Sequence, residues 1–315
     1  MKEQKMALRN MVLKTMVGSH LYGTSTPESD EDYAGIFVPD PEYILGTKRC
    51  ELVEMKSNPS DSGRRNGPDD HDFTIYSLPK YIHLAAGSNP NIIEILFSNN
   101  YLTLEPIGKR LVDGRGIFLS GLARKTFLGY AKSQIMKLTV KRGRLEAIRN
   151  ARELLRRRHP QTRIDSWADK IYDPISVMDT SGTIYHTFEL GSIVYDVERK
   201  LDEMEKEYGS RTRSVVTLGY DTKFASHIFR LLFEGRELLE TGKLTFPFTG
   251  ENLRTIMRVR FGEVKIEEVL AMVADEEGRL KGCDSVLPEN PDVDNVSRFQ
   301  MELLTDFWKK RGLNV

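Results

Sequence analysis

The stretch that decides the fold covers residues 16–38 and reads MVGSHLYGTSTPESDEDYAGIFV. Within it, the pair Gly18 and Ser19 ends one apolar run, and Asp30 and Asp32 open a second apolar run further along the chain. Residues two apart in a strand point to the same face, so Asp30 and Asp32 are predicted to project side by side. Two carboxylates this close repel each other, and Mg²⁺, which prefers oxygen ligands, relieves that repulsion. The pair therefore predicts a metal site.

Gly18 and Ser19 predict a phosphate site beside that metal site. A glycine lets the backbone approach a ligand closely, and a hydroxyl with N–H groups at a following helix start can hold phosphate. Taken separately, an Asp-x-Asp pair is common on exposed strand edges, and a Gly-Ser pair is an ordinary turn. Their order and spacing between two apolar strands favour a functional interpretation over a structural one.

This order of motifs resembles the signature of the DNA polymerase β nucleotidyltransferase superfamily, in which Gly-Ser and a short helix precede Asp-x-Asp on the next strand. The fuller wording, GSHLYG at residues 18–23 and PESDED at residues 27–32, resembles the branch described as polymerase-β-like proteins of an RNA repair pathway. NPNIIEILF at residues 89–97 and YDTKFASH at residues 220–227 resemble the same branch. The resemblance implies an α+β fold, with a mixed sheet flanked by helices in a catalytic domain of residues 1–118. An all-helical domain of residues 119–315 would follow it.

The superfamily pattern also implies a third carboxylate at the head of a later strand. Asp72 immediately precedes FTIY at residues 73–76, a run of β-branched and aromatic residues that predicts a strand. We therefore expect Asp72 to be the third metal ligand. Asp70 remains the alternative, because it lies two residues earlier on the same face and strand register cannot be read from sequence.

The activity that the resemblance implies is transfer of a nucleoside monophosphate from a triphosphate, expected to be ATP, to an acceptor hydroxyl with release of pyrophosphate. Two Mg²⁺ ions, for which Mn²⁺ can substitute, would clamp the attacking and leaving oxygens. The expected catalytic residues and metal ligands are Asp30, Asp32 and Asp72, and the residues expected to bind or support the nucleotide and metal are Gly18, Ser19, Tyr22 and Ser29.

A basic stripe on a later helix is a further candidate for phosphate binding. Lys223, His227 and Arg230 fall at i, i+4 and i+7 of a helix predicted to begin at Asp221, which places them on one side of it. The stripe would bind the β- and γ-phosphates or the acceptor, and a basic surface stripe without a ligand is the alternative. For Glu94, within an apolar helix, the alternatives are a nearby cation as partner or a solvent-exposed face.

Between Arg124 and Arg163, basic residues far outnumber the two acids, Glu146 and Glu153. A solvated helix normally mixes its signs, so this imbalance in a chain of net charge 0 favours contact with a polyanion. We therefore expect an RNA or tRNA end as the acceptor. Three alternatives remain: AMP transfer to a protein hydroxyl, nucleotidyl transfer to a small molecule such as an aminoglycoside, and a nucleotide-binding regulatory or antitoxin-like module without turnover.

Composition limits the class of protein. The 315 residues are 39% hydrophobic and 29% charged, which fits a globular chain of two domains. Cys50 and Cys283 lack zinc spacing, and the chain begins without a signal-peptide pattern or a membrane-length apolar run. A cytoplasmic location without membrane contact is expected. Two questions stay open: the oligomeric state, and whether the polar loop at residues 56–70, with Arg64 and Arg65, closes over substrate or is an ordinary insertion.

Overall fold

The computed structural model describes residues 2–58, 69–164, 176–179, 181–189, 191–206 and 218–313, and the backbone alone of residues 139–142. Most of the loop predicted at residues 56–70, with Arg64 and Arg65, therefore lies outside the described residues. The chain divides into two compact units. The first consists of Met1–Tyr130, Arg230–Met257 and Asp275–Val315, and the second of Ala131–Phe229 and Arg258–Ala274.

The boundary between these units differs from the predicted division at residues 118 and 119. The first unit extends to Tyr130 and includes two later segments, because buried contacts of its core depend on them. Trp308, for example, is buried and donates its Nε1–H to the carbonyl oxygen of Pro39 at 2.9 Å. The assignment of catalysis to residues 1–118 stays a prediction.

The first unit is built on a mixed sheet of five strands. These are β1 (Met11–Val17), β2 (Glu31–Phe37), β3 (Leu52–Lys56), β4 (His71–Ser77) and β5 (Tyr101–Leu104), paired in the order β3-β4-β2-β1-β5. β2 and β4 are parallel, and the other neighbouring pairs are antiparallel. A mixed sheet with flanking helices, followed by a mainly helical region, confirms the predicted α+β class.

Helices precede, connect and follow these strands. Asn89 caps one of them as predicted, because its Oδ1 accepts the N–H of Asn91 at 3.1 Å and Pro90 takes the first helical position. None of the described helices combines the length and the apolarity that crossing a membrane requires. The helices are α1 (Lys2–Arg9), α2 (Gly18–Tyr22), α3 (Leu78–Ala86), α4 (Pro90–Ile93), α5 (Pro106–Asp113), α6 (Leu122–Leu155), α7 (Val194–Lys206), α8 (Thr222–Thr241), α9 (Gly250–Arg260), α10 (Ile266–Gly282) and α11 (Val293–Lys310).

Alternation along β2 and β4 separates the two faces of the sheet. On one face, Phe37 and Phe73 are buried in a cluster with Met6 of α1. Since successive strand residues point to opposite faces, Asp32 and Asp72 project from the other face. The same apolar packing that fixes the register of these strands therefore fixes where the acidic side chains emerge.

The second unit contains a short hairpin that departs from the all-helical expectation. β6 (Ser176–Met178) pairs antiparallel with β7 (Ile184–Thr187), so the region beyond residue 119 is mainly rather than entirely helical. Asp179 closes the turn, because its Oδ1 accepts the N–H groups of Ser181 and Thr183, each at 3.0 Å. Strands of three and four residues are too short for a period-two pattern to stand out in the sequence.

Candidate active site

Strand pairing brings two of the predicted carboxylates together. In the parallel pair of β2 and β4, Asp32 lies opposite Asp72, and Glu31 lies opposite His71. Partners in register on neighbouring strands, about 4.8 Å apart, project from the same face of a sheet. Asp30 immediately precedes β2, two residues before Asp32. The start of this parallel pair therefore carries an acidic cluster, Asp32 and Asp72 on one face with Asp30 just before β2.

Register also distinguishes Asp72 from Asp70. Asp72 is the residue that pairs with Asp32, whereas Asp70 lies just before β4. The carboxylate of Asp70 is buried, its Oδ1 accepts the Ser57 hydroxyl at 3.1 Å, and its carbonyl oxygen accepts the Glu31 N–H at 3.1 Å. These contacts give Asp70 a part in joining the strand starts and favour Asp72 as the third ligand.

Gly18 lies directly against the carboxylate of Asp32. β1 pairs with β2 so that Val17 lies opposite Asp32, and α2 begins at the next residue. Gly18 has a φ of +67°, and a Cβ placed on it would meet Asp32 Oδ2 at 2.5 Å. Glycine is therefore needed for the left-handed backbone and for the space that Asp32 occupies. The predicted phosphate turn and the predicted metal ligand Asp32 are neighbours in the structure.

The donor set suits a hard cation such as Mg²⁺. Asp32 and Asp72 present carboxylate oxygens from neighbouring strands, and Asp30 lies just before β2, two residues from Asp32. In the part of the chain that the structure describes, no group of three or more His, Cys, Asp or Glu side chains is arranged to hold a metal ion. The fit is therefore one of ligand chemistry and neighbourhood, and the three-carboxylate metal site stays a prediction.

Ser29 closes the loop between α2 and β2. Its Oγ accepts the N–H of Thr26 at 2.9 Å, and its own N–H donates to the carbonyl oxygen of Thr26 at 2.9 Å. Ser29 thus shapes the chain just before Asp30. Its predicted support of a metal ligand would act through this loop rather than through a contact shown here.

Arg230 and Tyr22 belong to a buried ionic network. Arg230 is 2% exposed, and its Nη1 donates to Glu94 Oε2 at 2.7 Å and to both carboxylate oxygens of Glu234 at 3.1 Å. Its Nη2 donates to Asn91 Oδ1 at 3.1 Å. Tyr22 donates its hydroxyl to Glu94 Oε2 at 2.8 Å, and the guanidinium carbon of Arg230 lies 4.5 Å from the Tyr22 ring centroid. A phosphate would have to displace two buried carboxylates, so the predicted nucleotide contacts of Arg230 and Tyr22 do not fit.

Glu234 is the member of this network that the sequence analysis missed. It stands four residues after Arg230 on α8, a spacing at which opposite charges meet on a helix. Of the two alternatives for Glu94, the structure selects a buried position with a cation as partner. The i+4 spacing was the available signal, but periodicity alone does not separate a buried pair from a surface pair.

Burial governs the proton affinities within the network. It raises the pKa of Glu234 to about 8 and raises the pKa of Glu94, in each case against the attraction of Arg230. Burial by itself lowers the pKa of Arg230, but the neighbouring Glu234, Tyr22 and Glu94 raise it by more. The guanidinium of Arg230 is therefore shared between Glu94 and Glu234, two carboxyl groups whose pKa values are raised.

Lys223 and His227 lie in the second unit, apart from Arg230 in the division of the chain. Asp221 caps α8 as predicted, because its Oδ1 accepts the N–H groups of Lys223 at 3.0 Å and Phe224 at 3.3 Å. Lys223 is exposed and His227 is half-buried. A nucleotide contact by these two residues stays a prediction.

Several bases of the run between Arg124 and Arg163 have partners within the protein. Arg124 donates to carbonyl oxygens at the end of α10, and Arg152 pairs with Glu205 of α7 at 2.7 Å. The pairing of Arg152 accounts for part of the charge imbalance through an acid distant in sequence, whereas Arg124 is held by backbone carbonyl groups. The exposed bases of the run include Lys125, Lys132, Lys137, Arg156 and Arg157.

A cavity of about 480 Å³ lies on the opposite face of the sheet. Its lining includes Lys14, whose Nζ is 4.3 Å from the ring centroid of Tyr33 and 4.6 Å from that of Phe73. Glu31 and His71 also line it. These residues alternate along β2 and β4 with the predicted carboxylates, so the cavity is separate from the acidic cluster.

Comparison with known proteins gives two findings. The family model described as "RlaP: RNA repair pathway DNA polymerase beta family" matches residues 2–279 of the chain. A relative from Enterobacteria phage T4, named "Uncharacterized 38.9 kDa protein in nrdC-mobD intergenic region", is 26% identical over 310 residues. That match spans 89% of this chain and 91% of the phage protein. The similarity thus extends well beyond the motif at residues 16–38.

Proposed function

Because the chain belongs to the RNA repair pathway DNA polymerase beta family, we propose that it is a Mg²⁺-dependent nucleotidyltransferase. It would move a nucleoside monophosphate from a triphosphate, ATP by preference, to an acceptor hydroxyl. The observation that carries the proposal is the pairing of Asp32 with Asp72 in register, with Gly18 packed against Asp32 Oδ2. Acidic side chains therefore lie next to Gly18, where no side chain blocks the approach of a phosphate. Both features support phosphate and metal binding at this place.

The residues at this place have distinct proposed roles. Asp30, Asp32 and Asp72 would hold the metal, which when bound neutralises charge on the phosphates and lowers the pKa of the acceptor hydroxyl. The backbone N–H groups at Gly18 and Ser19 would bind the β- and γ-phosphates, and they need little rearrangement to do so.

The transfer itself balances without a further reactant. A bond forms between the acceptor oxygen and the α-phosphorus while the bond from the α-phosphorus to the bridging oxygen of the β-phosphate breaks. The acceptor proton passes to a carboxylate oxygen of Asp72, and pyrophosphate leaves with the bonding electrons. In this proposal Asp72 acts as the base and Asp32 as a ligand throughout.

An RNA end is the acceptor that we propose. The family description and the exposed bases Lys125, Lys132, Lys137 and Arg157 support it, since basic side chains contact RNA phosphates without reading sequence. Arg124 and Arg152 already have partners within the protein, so they are not counted among the bases that would contact RNA. A protein or small-molecule acceptor, or binding without turnover, would appear as a different outcome of the same experiment.

The experiment is incubation with each α-labelled nucleoside triphosphate, Mg²⁺ and either total RNA or cell lysate. We expect label in RNA, strongest with ATP, and none without Mg²⁺. Label in protein or in a small molecule would refute the RNA acceptor, and label nowhere with detectable nucleotide binding would refute turnover. The variant Asp32→Asn in the same assay identifies label that comes from a contaminating enzyme.

Replacing Gly18 by alanine tests the contact between the turn and Asp32. The new methyl group would displace the Asp32 carboxylate, and we expect transfer to fall by about 10²-fold, the effect of a misplacement of about 1 Å. Gly250→Ala is the matched control, because Gly250 has a φ of +59° and open space around its Cβ position. It carries the same backbone strain, so equal losses of activity in the two variants would contradict the proposed contact.

A further inference from the structure

Tyr22 connects the phosphate turn to the buried network. It is the last residue of α2, whose first residue, Gly18, lies against Asp32. The helix is a single compact turn, because the carbonyl oxygen of Ser19 accepts the N–H groups of Gly23 and Thr24, the latter at 2.9 Å. A displacement at Tyr22 therefore reaches Gly18 within five residues of helix.

Four kinds of contact hold Tyr22 in place. Its hydroxyl donates to Glu94, and its ring lies against the Arg230 guanidinium. Its carbonyl oxygen accepts the N–H of Phe248 at 3.1 Å, and its ring centroid is 6.0 Å from that of Phe246 and 6.4 Å from that of Phe248. The hydroxyl oxygen is the one polar atom of the Tyr22 side chain. It donates to the carboxylate of Glu94, which Arg230 also binds.

The network is buried and is held together by several hydrogen bonds. Glu94, Arg230 and Glu234 are each buried, at 3%, 2% and 0% exposure. Hydrogen bonds donated by a charged group in such surroundings are strong and directional, and losing one partner leaves the others unsatisfied. Glu94 reaches Arg230 across 136 residues of sequence, so the network joins α8 to the segment after α4. Through Glu94, which accepts the Tyr22 hydroxyl, the network fixes the last residue of the short helix α2.

We propose that Tyr22, Glu94 and Arg230 are positioning residues that hold Gly18 and Ser19 in the place where the triphosphate chain binds. This inference rests on the proposed function and extends it to residues that touch neither metal nor nucleotide. In this proposal the network acts through the position of Gly18 and Ser19, and it supplies neither a metal ligand nor a base for the transfer. Its loss therefore weakens phosphate binding more than it slows the bound complex.

The test is isothermal titration of inorganic tripolyphosphate and of each nucleoside triphosphate, with Mg²⁺, into the full-length wild type and Tyr22→Phe. We expect both kinds of probe to bind Tyr22→Phe more weakly, by up to about fivefold, which is the largest factor that one hydrogen bond of typical strength can supply by holding the binding-competent turn. Steady-state kinetics should show a rise in KM for the triphosphate that is larger than the fall in kcat.

Tyr81→Phe is the matched control. Tyr81 is fully buried and donates its hydroxyl to the carbonyl oxygen of Ile92 at 2.8 Å, so its variant loses a similar bond close to Glu94. We expect both variants to melt at similarly lowered temperatures, while Tyr81→Phe binds tripolyphosphate like the wild type. Wild-type affinity in Tyr22→Phe, or equal weakening in Tyr81→Phe, would overturn the positioning role. A wild type that binds no triphosphate would refute the proposed function itself.

Discussion

Asparagine in place of Asp32 is expected to reduce nucleotidyl transfer by at least ~10³-fold, because the change removes the proposed charged oxygen ligand from the place where metal and phosphates would meet. The fold should survive. Asp32 and Asp72 lie side by side, and removing one of two like charges relieves repulsion between them. The measurements are transfer of label in the assay described above and the melting temperature of the purified variant.

Glu31→Gln is the control for this prediction. Glu31 precedes Asp32 on β2 but points to the opposite face, where its Oε2 accepts the Tyr33 hydroxyl at 2.6 Å. Glutamine keeps that acceptor, so activity should remain at the wild-type level. If Asp32→Asn retained activity, or if Glu31→Gln lost as much, the acidic cluster could not be the site of transfer.

Methionine in place of Arg230 is expected to lower the free energy of unfolding by about 3–5 kcal/mol, the range found when one partner of a buried ion pair is removed. The variant leaves Glu94 and Glu234 buried without the guanidinium that they share. Urea denaturation followed by circular dichroism measures the change. Arg254→Met is the control: Arg254 pairs with Glu251 at an exposed site, where such pairs contribute about 0–1 kcal/mol.

The loss of unfolding free energy in Arg230→Met should also depend on pH. Burial raises the pKa of Glu234 to about 8 from an ordinary value of 4.5, so the folded protein binds that proton more tightly than the unfolded chain does. The resulting stabilisation is complete below the unfolded pKa and is lost as the pH rises towards 8. Without Arg230 the acids hold their protons more firmly still, so the deficit should be smaller at about pH 5 than at about pH 8. A deficit independent of pH would contradict this account.

The strands that carry Asp32 and Asp72 could be predicted from the sequence, because their patterns are local. Alternating apolar residues indicate β2 and β4, and a period of two predicts that Asp30 and Asp32 share one face. The choice of Asp72 over Asp70 needed more. It depends on register, which the burial of Phe73 against α1 decides, and that packing is tertiary.

The buried network could not be predicted in the same way. Lys223, His227 and Arg230 share one side of α8, and a helical stripe looks the same in sequence whether it faces solvent or the interior. Glu94 and Arg230 are 136 residues apart, so no local pattern connects them. The resemblance to a nucleotidyltransferase favoured the prediction that Arg230 binds phosphate. In the structure its partners include the carboxyl groups of Glu94 and Glu234.

The counter-charge for Glu94 has a consequence for any attempt to shorten the protein. Arg230 supplies it, and Trp308 closes the core near Pro39, yet neither residue lies in the first 118. A fragment cut at that point would carry every predicted metal ligand and still leave the carboxyl group of Glu94 buried without the guanidinium of Arg230. The smallest piece expected to keep this core intact is therefore discontinuous along the chain, and Ala131–Phe229 and Arg258–Ala274 interrupt it.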